Sequence, residues 1–89
     1  MITEDILIIN RLGLHARAAA SFVKQASAFE SEVELSFRDQ VVNGKSIMGI
    51  MMLAASQGSE LILKVSGSDE AEAREALVKL VNDRFGEDE

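Results

Sequence analysis

No cysteine occurs in this chain, so disulfides and thiolate metal sites are excluded. His15 is the only histidine, and one imidazole without a thiolate does not make a tetrahedral zinc centre. No metal and no resident cofactor are expected. Proline and tryptophan are also absent. No apolar run approaches the ~20 residues that a membrane span needs, so no membrane partner is expected. Basic residues are the minority: Lys and Arg number 9 against 15 Asp and Glu, a formal charge of −6. Net charge therefore draws the chain to neither nucleic acid nor anionic lipid. Glu4 and Asp5 stand where a signal peptide carries basic residues, so the expected location is cytoplasmic. Neither Gly-x-x-x-x-Gly-Lys-Ser/Thr nor Gly-x-Gly-x-x-Gly is present, which removes the common nucleotide-binding loops.

What remains is an 89-residue chain with 47% hydrophobic residues, read as one domain over residues 1–89. A chain of this size buries roughly 60% of its unfolded surface, enough for one small core. Ile2 to Ile9 predicts a buried strand and Asn10 to Leu14 a loop. Ala16, Ala19, Ala20, Val23 and Ala26 recur at helical spacing, predicting a helix over 16–27 with that stripe inward. Val33, Leu35 and Phe37 alternate with Glu34 and Ser36, the pattern of a half-buried strand. Arg38 to Gln40 is short enough for a hairpin, with Val41-Val42 returning. A short helix follows over 47–53, then a strand over 60–66 and a long helix over 69–85. Gly86 to Glu89 is expected to fray. The order is β-α-β-β-α-β-α. Its simplest solution is an α+β fold: one four-stranded, largely antiparallel sheet with all helices on one face. Glu32, Glu34, Ser36 and Lys64 would then lie on the open face.

The chemistry gathers at Asn10-Arg11-Leu12-Gly13-Leu14-His15-Ala16-Arg17. The first turn of a helix has N–H groups without intrahelical partners, and with the helix dipole they favour an anion. His15 falls at or beside the N-cap, so Ala16 and Arg17 would supply two such N–H groups. The Arg17 guanidinium could hold two phosphate oxygens at once. The same positive field disfavours imidazolium, and a neutral ring keeps one nitrogen lone pair for in-line attack on a phosphoryl donor. A phosphoimidazole is labile and suits relay. On spacing alone, a lone histidine before a helix is usually an ordinary surface or capping residue. Ser46 opens the short helix and reads as an N-cap, a position where a phosphate would also be tolerated. That helix carries three methionines, Met48, Met51 and Met52, within five positions. Either they fill the core or they form an adaptable contact surface. The expected split places Ile50 and Leu53 inward and Ile47, Met48 and Met51 at least partly outward.

Gly13-Leu14-His15-Ala16-Arg17 resembles the active-site motif of the HPr family, the histidine-containing phosphocarriers of the bacterial phosphotransferase system. Val42-Asn43-Gly44-Lys45-Ser46-Ile47-Met48-Gly49 resembles the regulatory-serine segment of the same family, in the form found alongside an HPr kinase/phosphorylase. The spacing between the motifs matches without a gap, and the element order agrees with the family's open-faced β-sandwich over nearly the whole chain. The resemblance implies that His15 accepts a phosphoryl group on Nδ1 from phosphorylated enzyme I, charged by phosphoenolpyruvate, and passes it to IIA proteins or domains. Arg17 would bind the phosphoryl oxygens, and phosphorylation of Ser46 would slow acceptance at His15. Ala20, Lys24, Ile47, Met48 and Met51 fall where the family docks its partners. The chain would be a modified carrier rather than an independent enzyme, and a monomer.

Two departures stand out. Ala18 occupies a position that is usually proline, which leaves the helix start less constrained. Ser27 and Gly49 replace lysines that some relatives carry near the docking face, so electrostatic steering toward acidic partners should be weaker. Two other readings compete. One is a regulatory binding module governed by Ser46, or a nitrogen-branch carrier, with little sugar transport. The other is a small interaction domain with no phosphate chemistry.

Overall fold

The computed structural model describes residues 1–89. Four strands, β1 (Ile2–Leu7), β2 (Glu32–Phe37), β3 (Gln40–Asn43) and β4 (Glu60–Ser66), form one sheet in the order β1-β4-β2-β3. Every neighbouring pair is antiparallel. Three helices, α1 (Ala16–Ala26), α2 (Ile47–Met52) and α3 (Glu70–Asn82), cover one face. The result is an α+β open-faced sandwich. No helix is long and apolar enough to cross a membrane.

Period-two patterning sets the sheet's two faces. Val33, Leu35, Leu61, Leu63 and Val65 point into the core and are all nearly inaccessible to solvent. Glu32, Glu34 and Lys64 lie exposed on the other face, and Ser36 is partly covered. Glu34 stands opposite Lys64 across the β2–β4 pair, a favourable arrangement of unlike charges. The first strand ends earlier than predicted, at Leu7. Ile8 lies beyond the β1–β4 register but is tied to the β4 approach by Ile8 N–H to Ser59 O at 2.9 Å and Gly58 N–H to Ile8 O at 2.7 Å.

On α1 the buried face is Ala18, Ala19, Phe22 and Ala26, while Ala16 and Ala20 are exposed. The predicted stripe was therefore turned around the helix axis. Alanine fits either environment, and the large Phe22 decides which side faces the sheet, because burying it is worth ~1.5–3 kcal/mol. On α3 the buried residues are Ala73, Leu77 and Val81, as the periodicity predicts. Asp69, just before α3, accepts from the N–H groups of Glu30 and Ser31 at 2.9 and 3.0 Å, and from the Ser31 hydroxyl at 2.5 Å. These bonds anchor the α1–β2 connection to α3. The Ser31 hydroxyl, followed by the Glu30 N–H, holds the Asp69 carboxyl below its usual range.

The long C-terminal helix stops at Asn82, short of the predicted Phe85. Arg84 and Phe85 take left-handed backbone angles (φ 57° and 56°), and Gly86 follows at φ 82°. Left-handed geometry is uncommon for residues with a Cβ. Burial of the Phe85 ring in the core holds the turn. Consecutive left-handed residues reverse the chain, so Glu87 to Glu89 run back toward the start of α1 and do not fray.

Candidate functional site

Gly13 explains how the loop after β1 delivers His15. It lies at φ +68°, and a Cβ there would come within 2.6 Å of the Ala55 carbonyl oxygen. Only glycine accepts both the angle and this approach. Leu14 then donates its N–H to the same oxygen at 2.9 Å and buries its side chain. The loop is thus pinned on both sides of the turn, immediately before His15.

His15 is the N-cap residue of α1, with an extended backbone and no side-chain capping bond. Its carbonyl accepts the first helical bond, from the Ala19 N–H at 2.9 Å. No protein acceptor takes the N–H groups of Ala16, Arg17 or Ala18. The helix start is therefore an open set of donors beside an imidazole. The ring is neither sunk in the core nor freely exposed, at 26% side-chain accessibility.

The C-terminal tail completes the surroundings. His15 Nε2 is hydrogen-bonded to Glu87 Oε2. The other carboxylate oxygen of Glu87 accepts from Asn10 Nδ2 at 2.8 Å. Asn10 is fully buried and also donates to the Gly13 carbonyl at 2.8 Å, so one amide ties the loop to the tail. Arg11 holds the chain end: Nη1 meets Glu89 Oε2 at 2.7 Å, and its N–H donates to the Glu89 backbone oxygen. Arg11, Leu12, Arg17 and the segment from Phe85 to Glu89 line one open concavity. Arg17 is exposed and makes no ion pair or hydrogen bond through its guanidinium. Partial burial works against a charge on Glu87. The bonds from Asn10 and His15, with electrostatic attraction to His15 and Arg17, outweigh it and hold this carboxyl below its usual range.

Ser46 is the N-cap of α2, and its Oγ accepts from the Gly49 N–H at 3.1 Å. It shares no hydrogen bond with the His15 cluster. On α2, Ile50 and Leu53 are buried, whereas Ile47, Met48, Met51 and Met52 are exposed, Met48 to 71%. The split between inward and outward residues is the expected one. Ala20 and Lys24 are exposed on α1, which packs beside α2. Sequence reasoning gave Asn10 no separate role, left Met52 out of the docking residues and missed Glu87. Exposure of Met52 follows from the same helical period that exposes Met48. The role of Glu87 has no local signal, because it acts 72 positions away from His15.

Comparison with known proteins agrees with this architecture. A family model described as "PTS HPr component phosphorylation site" matches residues 2–83. The phosphocarrier protein HPr of Neisseria meningitidis is 55% identical over 89 residues, covering 100% of both chains. The crystal structure of HPr-C-His from Thermoanaerobacter tengcongensis superposes with a TM-score of 0.96 at 48% identity, again over 100% of both chains. A dimer of HPr from the same organism matches with a TM-score of 0.79 and 51% identity, over 92% of this chain and 94% of that one. Fold and relatives together define a phosphocarrier of the phosphotransferase system. The chain belongs to the HPr family. That role implies partners from the same phosphotransferase system.

Proposed function

We propose that the chain relays phosphoryl groups through His15, accepting them from phosphorylated enzyme I and passing them to IIA proteins or domains. The observation that carries this reading is the uncapped start of α1, where His15 stands beside the free N–H groups of Ala16 and Arg17. In the forward step a ring nitrogen of His15 forms a bond to phosphorus. The bond from phosphorus to the donor nitrogen breaks, and its electron pair stays on the donor. Arg17 and the amides neutralise the phosphoryl oxygens. The chain is itself modified in each cycle, as one domain over residues 1–89 and as a monomer. Incubation with enzyme I and phosphoenolpyruvate tests the relay. The intact mass should rise by one acid-labile phosphate, and the gain should vanish in His15→Ala. A wild-type protein that stays unmodified defeats the proposal.

Regulation through Ser46 is the second part of this reading. The Ser46 hydroxyl caps the helix that exposes Ile47, Met48, Met51 and Met52. A phosphate there would sit at a helix start that accepts negative charge, next to an apolar patch suited to docking. Ala20 and Lys24 would extend that patch onto α1. An HPr kinase/phosphorylase should add an acid-stable phosphate that Ser46→Ala cannot take. Slower acceptance at His15 in the modified form would support regulation, and an unchanged rate would oppose it. A protein acting chiefly as a regulatory module would show Ser46 modification with little flux through His15.

A further inference from the structure

The tail contact at His15 has a chemical consequence for the ring. An ionised carboxylate accepts hydrogen bonds and donates none. Glu87 meets His15 at Nε2, so Nε2 must carry the proton. In a neutral ring Nδ1 is then the nitrogen with the free lone pair. Nδ1 and Nε2 are separated by one carbon, so the carboxylate leaves the Nδ1 side of the imidazole open. Asn10 holds the second oxygen of Glu87, which fixes the carboxylate itself. The remaining charged groups around this concavity are Arg11, paired with Glu89, and Arg17 and Asp88.

We propose that Glu87 is a positioning residue for His15, keeping the ring proton on Nε2 so that Nδ1 attacks, and offsetting the positive charge the ring acquires as Nδ1 binds phosphorus. The proposal rests on the reading of His15 as the phosphoryl acceptor. When Nδ1 gives its lone pair to phosphorus, the bond from phosphorus to the donor nitrogen breaks and that nitrogen keeps the pair. No proton leaves His15 in this step, so the ring becomes a phosphoimidazolium. A carboxylate at Nε2 stabilises that cation more than it stabilises the neutral ring, which speeds the step. The left-handed turn at Arg84 and Phe85 is what brings Glu87 into place.

The test uses the full-length protein and two readouts. In ¹⁵N spectra at alkaline pH, wild-type His15 should be protonated on Nε2 alone, and Glu87→Ala should show both tautomers in exchange. With phosphoramidate as donor, which needs no docking partner, acceptance by Glu87→Ala should fall about tenfold, the scale of losing one charge-assisted hydrogen bond. Glu87→Gln retains an acceptor without the charge and should lie between the two. Glu34→Ala removes a carboxylate from the open face of the sheet, outside the site, and should accept phosphate at close to the wild-type rate. An unchanged tautomer in Glu87→Ala, faster acceptance by that variant, or an equal loss in Glu34→Ala would overturn the proposal. The tautomer signature reads the contact without any phosphate. Failure of the wild type to accept phosphate would instead defeat the relay reading.

Discussion

Two helix starts in this molecule are built in opposite ways. At α2 the Ser46 hydroxyl turns back and takes the Gly49 N–H, so a leading donor is satisfied by the chain. At α1 the N-cap is an imidazole that makes no capping bond, and the first N–H groups stay open. A serine cap is worth about 1 kcal/mol to a helix. The α1 start forgoes that stabilisation and retains donors, a cation at Arg17 and a nucleophile in one place. The difference separates a helix start that serves the fold from one suited to hold an anion.

The sharpest way to break this contrast is to cap the open start. His15→Ser should abolish acceptance of acid-labile phosphate entirely, while the new cap offsets the lost Glu87 contact and leaves stability within about 1 kcal/mol of wild type in urea unfolding. Survival of phosphate acceptance, or a clear loss of stability, would count against the account. Next in size is Arg17. Removing the free guanidinium in Arg17→Ala should slow phosphate acceptance roughly 10- to 100-fold, since hydrogen bonds to charged groups contribute ~1.5–3 kcal/mol. Arg17→Lys should recover only part of that loss, because an ammonium cannot grip two oxygens in the planar fork of arginine.

The capped start should respond in stability instead. Ser46→Ala should lower unfolding free energy by about 1 kcal/mol, and Ser46→Asp, which can still accept the Gly49 N–H, should remain near wild type. Equal losses in the two variants would show that the Gly49 bond is not what stabilises α2. The smallest expected effect concerns the tail. The Glu87 carboxyl is held below its ordinary range in the folded chain. Its stabilising contribution is then present above the ordinary carboxylate range and is lost as pH falls through the lowered folded value. Thermal melts of wild type and Glu87→Ala should therefore differ near neutral pH and converge in acid. A gap that stays constant to low pH would place the stabilisation elsewhere.

Much of this was legible in the sequence where one side chain fixes one environment. Alternation at Leu61, Leu63 and Val65 marks the inner face of β4 without ambiguity, and Ser46 before an apolar run marks the start of α2. The face of α1 was misread because a helix rich in alanine has no preferred side until Phe22 is given weight. The end of α3 was misread because Phe85 reads as a helical core residue. It is indeed buried, but from a left-handed turn that only Gly86 hints at. The tail was expected to fray because its residues are polar. Its order comes from Asn10, Arg11 and His15, partners at the other end of the chain, and no local pattern announces such pairings.

The central claim is that phosphate resides on the His15 nitrogen that faces away from the tail, at the open start of α1. A ³¹P–¹⁵N correlation spectrum of the phosphorylated, ¹⁵N-labelled protein tests it directly. The account predicts phosphorus bonded to Nδ1 with a proton retained on Nε2. Phosphorus bonded to Nε2, or to neither nitrogen of His15, would contradict it.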